Sequence, residues 1–434
     1  MKVLNIVLLL SFALPIVAQT RATATDVKIT RDQAEQLALA NNPRISADKL
    51  LALAEGETVR EQRSALLPQV AVNLTAVQAE DASRIGAGQL TSSRLYTHAG
   101  AGGTLSQLIT DFGHTGNLVA SARLRTEAQQ QSARATQQDV VFATDQAFYR
   151  LLSAQALLDV ANQTVAARRD VQSVTGALAQ NKLKSDLDVN IAAADASQAQ
   201  LLQLDATNQV QSASAALAAL LAAPAGTVYT AVDSAAALPL PPEDAGALER
   251  DALATRPDLK ARALGANAEE KLARAESLQH LPTITATAVA GVTPVRPDGV
   301  FGENWYAAGG INLNLPIFTG FRISSEAREA ELRAQAQQKQ AANLGNVVQR
   351  DVRTATLSAQ TAFQRIAVTE AFQGQAAQAL SLAQTRYQLG LSSIVELSQA
   401  QLQSTQAAVA AAGARFDYLL ALRSLDYVTG RITP

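Results

Sequence analysis

The sequence predicts an internally duplicated α+β membrane protein, in which each chain supplies four transmembrane β-strands and two long antiparallel helical hairpins. Three observations lead to this fold class. A pattern of prolines occurs twice at constant spacing, four segments alternate over a membrane-spanning length, and two very long stretches contain no proline. The 434 residues are enough for more than one structural unit.

The first residues have the layout of an export signal. Lys2 supplies a positive start, an apolar stretch continues to residue 18, and small residues offer cleavage sites between positions 18 and 24. We therefore predict a signal peptide over residues 1–18. The stretch is short for a membrane-spanning helix, and an uncleaved N-terminal anchor is the alternative.

Composition favours long, closely packed helices and excludes several kinds of site. Hydrophobic residues make up 48% of the chain but aromatic residues only 4%, and much of the apolar content is alanine, which suits helices packed close together. Without cysteine there is no thiolate ligand, and a net charge of −2 gives no basic surface for nucleic acid. The three histidines are scattered and no nucleophile–base pair stands out, so we expect no metal, no cofactor and no enzymatic activity.

Prolines mark the start of each copy of the duplicated unit. Pro43 and Pro68 in the first half match Pro257 and Pro282 in the second, at equal separation. A proline in the first turn of a helix and another after its end predict a short helix in each interval. We divide the mature chain into a first repeat, a linker and a second repeat, over residues 19–223, 224–245 and 246–434; the membrane arrangement argued below places the linker in the periplasm.

Four segments alternate with a period of two residues, which is typical of β-strands. They cover residues 70–77, 97–108, 283–289 and 305–315. Each has about the ten residues that a tilted strand needs to cross a membrane. Polar side chains on one face suit a wet lumen, namely Asn73, Thr75, Asn312 and Asn314.

A stretch without proline follows the second strand of each repeat, over residues 118–178 and 321–387. As a helix each would be roughly 90–100 Å long, and a helix of that length needs lateral partners. Each ends in a turn and a return helix that opens with a capping box. The capping residues are Ser185 with Asp188 and Ser393 with Glu396.

Four strands per chain are too few to close a barrel, for which about eight is the smallest usual number. An open sheet in lipid would leave edge backbone groups unpaired, so the chain is expected to oligomerise. Two copies would give a filled barrel, whereas three would leave space for a lumen. The helix–strand junctions all fall on one side of the membrane, which for an exported protein with long helices is the periplasm.

Aromatic residues cluster at the predicted strand ends, as in the interfacial girdles of membrane barrels. Turn aromatics of a soluble β-sandwich are the alternative interpretation. The predicted interface residues are Tyr96, Phe301, Trp305 and Tyr306 on the outer side, with Phe112, Phe318 and Phe321 on the periplasmic side.

Several short motifs occur in order along the chain, doubled at nearly constant spacing. They are Asn42-Pro43, Leu66-Leu67-Pro68, the turns Asp111-Phe112-Gly113 and Phe318-Thr319-Gly320, and the hairpin from Arg386 to Leu397. With these motifs the mature chain resembles the outer-membrane efflux protein (TolC) family. The resemblance implies a homotrimer in the outer membrane, with a twelve-stranded barrel and a large periplasmic tunnel of helices. It implies transport without catalysis, in which an inner-membrane pump and a periplasmic adaptor hand over cargo for drug efflux or type I secretion.

The resemblance also implies a constriction at the periplasmic tips of the hairpins. Carried over position by position, its tyrosine falls on Tyr387, its acidic neighbour on Asp188 and its acidic ring residue on Glu396. The family pattern has an arginine at Ser392 and a second acidic residue at Gln399, and both departures weaken a salt-bridged lock. Helix capping alone is the alternative for the two acids, and packing at the turn is the alternative for the tyrosine.

Two other classes of protein compete with a channel. A periplasmic adaptor has long helical hairpins and a β-domain, but it would not repeat the strand–strand–hairpin unit with membrane-length strands. A soluble coiled-coil scaffold would lack strands that alternate toward lipid.

Overall fold

A computed structural model of the chain describes residues 25–78, 84–87, 90–94, 98–233, 237–292 and 305–432. The predicted signal peptide, Tyr96 and Phe301 lie outside these residues. In chain order the elements are β1 Thr25–Ile29, α1 Arg31–Asn41, α2 Pro43–Ser64, β2 Gln69–Val77, β3 Arg84–Ala87, β4 Leu90–Arg94, β5 His98–Thr110, α3 His114–Gln180, α4 Asp186–Leu220, β6 Thr227–Ala231, α5 Ala245–Thr255, α6 Pro257–Leu278, β7 Thr283–Val292, β8 Trp305–Asn314, α7 Arg322–Gln388 and α8 Ile394–Val428.

The duplication extends to the length of every helix. α1 and α5 have 11 residues each, and α2 and α6 have 22. α3 and α7 have 67 residues each, and the return helices α4 and α8 have 35. Because paired elements have the same length, the two repeats place their strands, junctions and hairpin turns at matching positions. The predicted α+β fold class is confirmed.

Strands β2, β5, β7 and β8 form one antiparallel sheet in that order, which confirms the four predicted strands. Two features were not predicted. The first loop contains the β3–β4 hairpin, and the segment predicted as a linker contains β6, which pairs in parallel with β1. No helix in the described ranges is both long and apolar enough to cross a membrane.

The two faces of the four-stranded sheet differ in polarity. Alternation along β2 and β8 places Val72, Leu74 and Ile311 on one face, where they are 73–81% exposed. The opposite face carries Asn73, Thr75, Thr104, Ser106, Thr285, Thr287, Asn312 and Asn314. None of these four strands contains Asp, Glu, Lys or Arg. One face therefore suits lipid and the other suits water.

The helices pack side by side through small residues. α8 lies between α7 and α3, and α3 packs against α4. Alanines fill many of the buried positions, among them Ala161, Ala192, Ala206 and Ala407, all at most 1% exposed. Small side chains allow close approach of the helix axes, which agrees with the close helix packing expected from composition. A thicker core surrounds the β1–β6 pair, where Phe148, Leu151, Leu217 and Tyr229 are buried together.

Each proline junction docks on the end of the return helix of its own repeat. The buried Asn42 caps α2 by accepting from the Arg44 N–H at 3.0 Å, and its amide donates to the Leu220 carbonyl at 2.9 Å. In the second repeat the Arg256 guanidinium donates to the Val428 carbonyl at 3.1 Å. The Asn-Pro motif thus joins the start of a short helix to the end of a long hairpin.

Asn42→Ala is expected to lower the free energy of unfolding by about 1–2 kcal/mol, because it removes a helix cap and a hydrogen bond to a helix C-terminus. Urea unfolding of the detergent-solubilised protein, followed by its helical circular dichroism, measures the change. Asn41→Ala is the matched control, since Asn41 is exposed at the end of α1. Equal effects of the two substitutions would contradict the assignment.

Candidate functional site

The two hairpin turns share one backbone design. After α3 the Leu183 N–H donates to the Leu178 carbonyl at 2.9 Å, and after α7 the Leu391 N–H donates to the Arg386 carbonyl at 2.8 Å. The residue that turns the chain is left-handed in both cases, with φ of +61° at Lys182 and +73° at Gly390. This is the Schellman ending of a helix, which favours glycine at the left-handed position.

The return helices α4 and α8 begin with different cap geometries. Asp188 forms the complete capping box, because its N–H donates to the Ser185 hydroxyl at 3.2 Å and its carboxylate accepts from the Ser185 N–H at 3.0 Å. Only half of this arrangement forms in the second hairpin, where the Glu396 N–H donates to the Ser393 hydroxyl. The Glu396 carboxylate lies 3.5 Å from the Arg386 guanidinium at the end of α7. The full capping box predicted at Ser393 is therefore wrong.

Tyr387 joins the second hairpin to the first. Its side chain is 2% exposed and packs with Ile394 and Leu397. Its hydroxyl lies 3.3 Å from the Thr175 hydroxyl on α3, and the Lys184 ammonium lies 3.9 Å from the centre of its ring. Burial raises the Tyr387 pKa.

Thr175, rather than Asp188, is the hydrogen-bond partner of the tyrosine. The Asp188 carboxylate bonds the Ser185 backbone and hydroxyl, at 3.0 and 2.8 Å. Its negative charge still contributes to the raised pKa of Tyr387. Sequence reasoning missed Thr175, because a threonine inside a long helix carries no signal until the opposite helix is placed.

The two positions that depart from the family pattern form no hydrogen bond with Tyr387 in the described part of the chain. Ser392 is half-buried in the turn, and its hydroxyl oxygen is buried without a hydrogen-bond partner among the described residues. Gln399 is exposed, one turn along α8 from Glu396 on the same helix face. Neither residue supplies a charged link between the hairpins.

A second buried contact between the hairpins lies further along the helices. Arg168 on α3 is 7% exposed, bonds the Gln401 side chain on α8 and pairs with Asp195 on α4 at 3.2 Å. Burial lowers the Arg168 pKa, and the nearby Asp195 carboxylate opposes this shift. Sequence reasoning missed this cluster, whose members lie far apart in the chain.

An ionic cluster joins α1 to the long helices near the middle of α3. The fully buried Asp145 accepts from the Arg423 guanidinium at 2.6 Å, and Arg423 also pairs with Glu35 at 3.2 Å. Burial raises the pKa of Asp145, and the positive charge of Arg423 opposes that rise. This cluster connects α1, α3 and α8.

The predicted interface aromatics lie in three places: on one face of the sheet, on its other face, and at the turns where its strands lead into helices. Trp305 is 79% exposed and shares the apolar face with Ile311. Phe112, Phe318 and Phe321 are 51–75% exposed at the strand-to-helix turns. Their role at a membrane interface stays a prediction.

Tyr306 does not share the lipid-suited face of the sheet with Trp305. It follows Trp305 directly, so it lies on the polar face with Asn312 and Asn314. The alternation of β8 explains the difference, because adjacent strand residues point to opposite faces. The role of Tyr306 as a membrane-interface residue stays a prediction, as it does for the other aromatics.

Comparison with known proteins agrees with this architecture. Residues 34–223 and 248–431 match the family described as Outer membrane efflux protein. The chain belongs to this family. The two matched stretches each contain one helical hairpin, so the family relationship covers both repeats.

Individual relatives cover most or part of the chain. The outer membrane efflux protein BepC of Brucella suis is 26% identical over 91% of this chain and 83% of its own length. The probable efflux pump outer membrane protein SepC of Pseudomonas putida is 31% identical over 61% of this chain and 54% of its own length. The crystal structure of the outer membrane protein VceC from Vibrio cholerae is 20% identical with a TM-score of 0.79, and covers 92% of this chain and 96% of that chain.

The family relationship assigns the broad activity and the cellular location. The chain is an outer-membrane channel of an efflux system, with a large helical portion in the periplasm. The family is one of transport proteins. The four-stranded sheet has an exposed apolar face and strands of 9–13 residues, long enough to cross a membrane, so it is the membrane portion.

The contact between Tyr387 and Thr175 can be isolated by a double-mutant cycle. Tyr387→Phe and Thr175→Val each remove the same hydrogen bond, and each is expected to cost about 0.5–1.5 kcal/mol in unfolding free energy. The double variant is expected to cost less than the sum of the two. Tyr387→Ala is expected to cost about 3–5 kcal/mol, because it also removes a buried ring. Strict additivity in urea unfolding would contradict the contact.

Proposed function

We propose that three copies of this chain form one conduit, in which their strands close a twelve-stranded barrel and their hairpins form a periplasmic tunnel. The observation that carries the proposal is the four-stranded sheet, which has one exposed apolar face and ends at β2 and β8. In lipid the outer backbone groups of these two strands need partners. Strands from neighbouring copies supply them when the sheet closes.

The polarity of the sheet supports three copies rather than two. Eight strands make a barrel whose interior side chains fill it, whereas a larger number leaves an open lumen. The inner face proposed here carries hydroxyl and amide side chains, which are suited to contact with water. The equal lengths of the two hairpins support a tunnel of approximate sixfold symmetry.

We also propose that the hairpin tips receive cargo from a periplasmic adaptor and an inner-membrane pump. Apolar side chains at both turns support this partner surface, since Leu183, Leu187, Leu389, Leu391 and Val395 are 62–68% exposed. Exposed apolar clusters of this kind mark protein-binding sites. The name of the relative SepC, an efflux pump outer membrane protein, supports the same class of assembly.

The tips are proposed to form the constriction of the conduit. Tyr387, Thr175 and Lys184 hold the second hairpin against the first, and Asp188 fixes the start of the return helix beside them. Ser392, Glu396 and Gln399 follow on the turn and the first turns of α8. Opening would separate the two hairpins and break the contact of Tyr387 with Thr175.

The assembly is tested by membrane fractionation followed by gel electrophoresis with and without heating. We expect the chain in the outer-membrane fraction, as a band of three times the chain mass that heating converts to the single chain. The heated sample is the internal control. A soluble protein, or a monomer in the unheated sample, would contradict the trimeric channel.

The acidic position at the tip is tested by substitutions that remove or add a negative charge, with ion selectivity measured in planar lipid bilayers. Glu396→Gln is expected to lower the preference of the channel for cations, because an acidic ring concentrates cations at a narrow neck. Gln399→Glu, one turn away on the same face, is expected to raise it. The reversal potential under a salt gradient measures both. Unchanged potentials in both variants would place this face of α8 away from the conduit.

A further inference from the structure

One row of residues crosses all four strands on the polar face of the sheet. Cross-strand pairing aligns Asn73 on β2, Gly102 on β5, Gly291 on β7 and Tyr306 on β8. In that row the two central positions have no side chain and an outer one has a large ring. The row lies several residues away from the strand ends that join the helices.

The ring of Tyr306 lies across the two glycines. A Cβ atom built on Gly102 would lie 2.8 Å from the Tyr306 hydroxyl, and one built on Gly291 would lie at the same distance from it. Real Cβ atoms essentially never approach so closely, so the hydroxyl occupies space that only glycine leaves free. The tyrosine therefore reaches from β8 over β7 to β5 and lies against the sheet, instead of standing out from it.

We propose that this glycine notch keeps the barrel part of the conduit wide at the level of the row, by holding the Tyr306 ring against the wall. The inference rests on the trimeric barrel proposed above, in which the polar face lines the lumen and the row occurs three times at one height. Three tyrosines that stood away from the wall would narrow the lumen together. With the notch in place, each ring instead forms part of the wall.

The surroundings of the notch indicate that width, rather than charge, discriminates between solutes at this level. A cavity of about 260 Å³ beside the tyrosine is lined by Asn73, Thr75 and Thr104, and the four strands contain no Asp, Glu, Lys or Arg. Neutral amide and hydroxyl groups attract neither sign of ion strongly. Tyr306 is 43% exposed, so its ring is accessible to solutes that pass.

Gly102→Ala tests the notch, because its methyl group would push the tyrosine hydroxyl away from the wall. We expect a loss of single-channel conductance in planar bilayers. Gly310→Ala is the matched control. It adds the same methyl group to the polar face of the sheet, on β8, where the new Cβ atom meets no atom within 4 Å. Gly291→Ala is unsuitable, because its Cβ would lie 2.6 Å from the Ala101 carbonyl oxygen and disturb the strand pairing.

The decisive variant combines Gly102→Ala with Tyr306→Phe. Removing the hydroxyl removes the atom that the new methyl meets, so conductance is expected to return toward that of the unchanged channel. The inference is overturned if Gly102→Ala conducts like Gly310→Ala, or if the combined variant stays as low as Gly102→Ala alone.

A variant that leaves both glycines unchanged tests the inference even if Gly102→Ala fails to fold. Should Gly102→Ala give no heat-dissociable trimer, Tyr306→Trp places a larger ring system on the same notch. It is expected to lower conductance, whereas Tyr306→Phe alone is expected to leave it unchanged. Equal conductance of these two variants would also overturn the inference. An unchanged chain that forms no trimeric pore would overturn the proposed function itself.

Discussion

Backbone hydrogen bonding at the two edges of the membrane sheet is the constraint on which the rest of the structure depends. Water satisfies an unpaired strand edge in a soluble protein, but hydrocarbon does not. In the proposed assembly β2 and β8, which lie at the two edges of the sheet, gain these partners from other copies. The position of the strands then fixes the position of the helices, because the four junctions of this sheet with α2, α3, α6 and α7 lie at the same end of its strands.

The helices show two kinds of lateral contact with different consequences for motion. Alanine-rich packing is spread along the helices and has no single residue on which it depends. The polar contacts between hairpins are few and local, such as Thr175 with Tyr387 and Arg168 with Gln401. When the hairpins separate, Arg168 loses its bond to Gln401 on α8 but keeps its ion pair with Asp195 on α4 of its own hairpin. Local polar bonds such as these are the contacts between the hairpins that a single substitution can remove.

Local patterns predicted the fold, whereas long-range pairing decided much of the candidate site. Proline spacing located α2 and α6, and alternation located the four strands to within a few residues. β6 was missed because it forms only by pairing with β1, some two hundred residues earlier in the chain. The Glu396 carboxylate pairs with Arg386 instead of accepting from the Ser393 N–H. Both partners lie nearby, so sequence spacing alone does not predict which one it contacts. The contact of Tyr306 with Gly102 and Gly291 could not be predicted, because it depends on the register of three paired strands.

The matching lengths of α3 and α7, and of α4 and α8, restrict how such a chain can change during evolution. A single residue inserted into an α-helix rotates everything beyond it by about 100° and moves it by about 1.5 Å. In one long helix that rotation would turn the alanine contacts outward and leave its hairpin tip out of level with the others. An insertion that preserves the helix faces requires about seven or eleven residues, with a compensating insertion in the return helix. Tunnel length is therefore expected to vary among related channels in blocks, introduced into both repeats together.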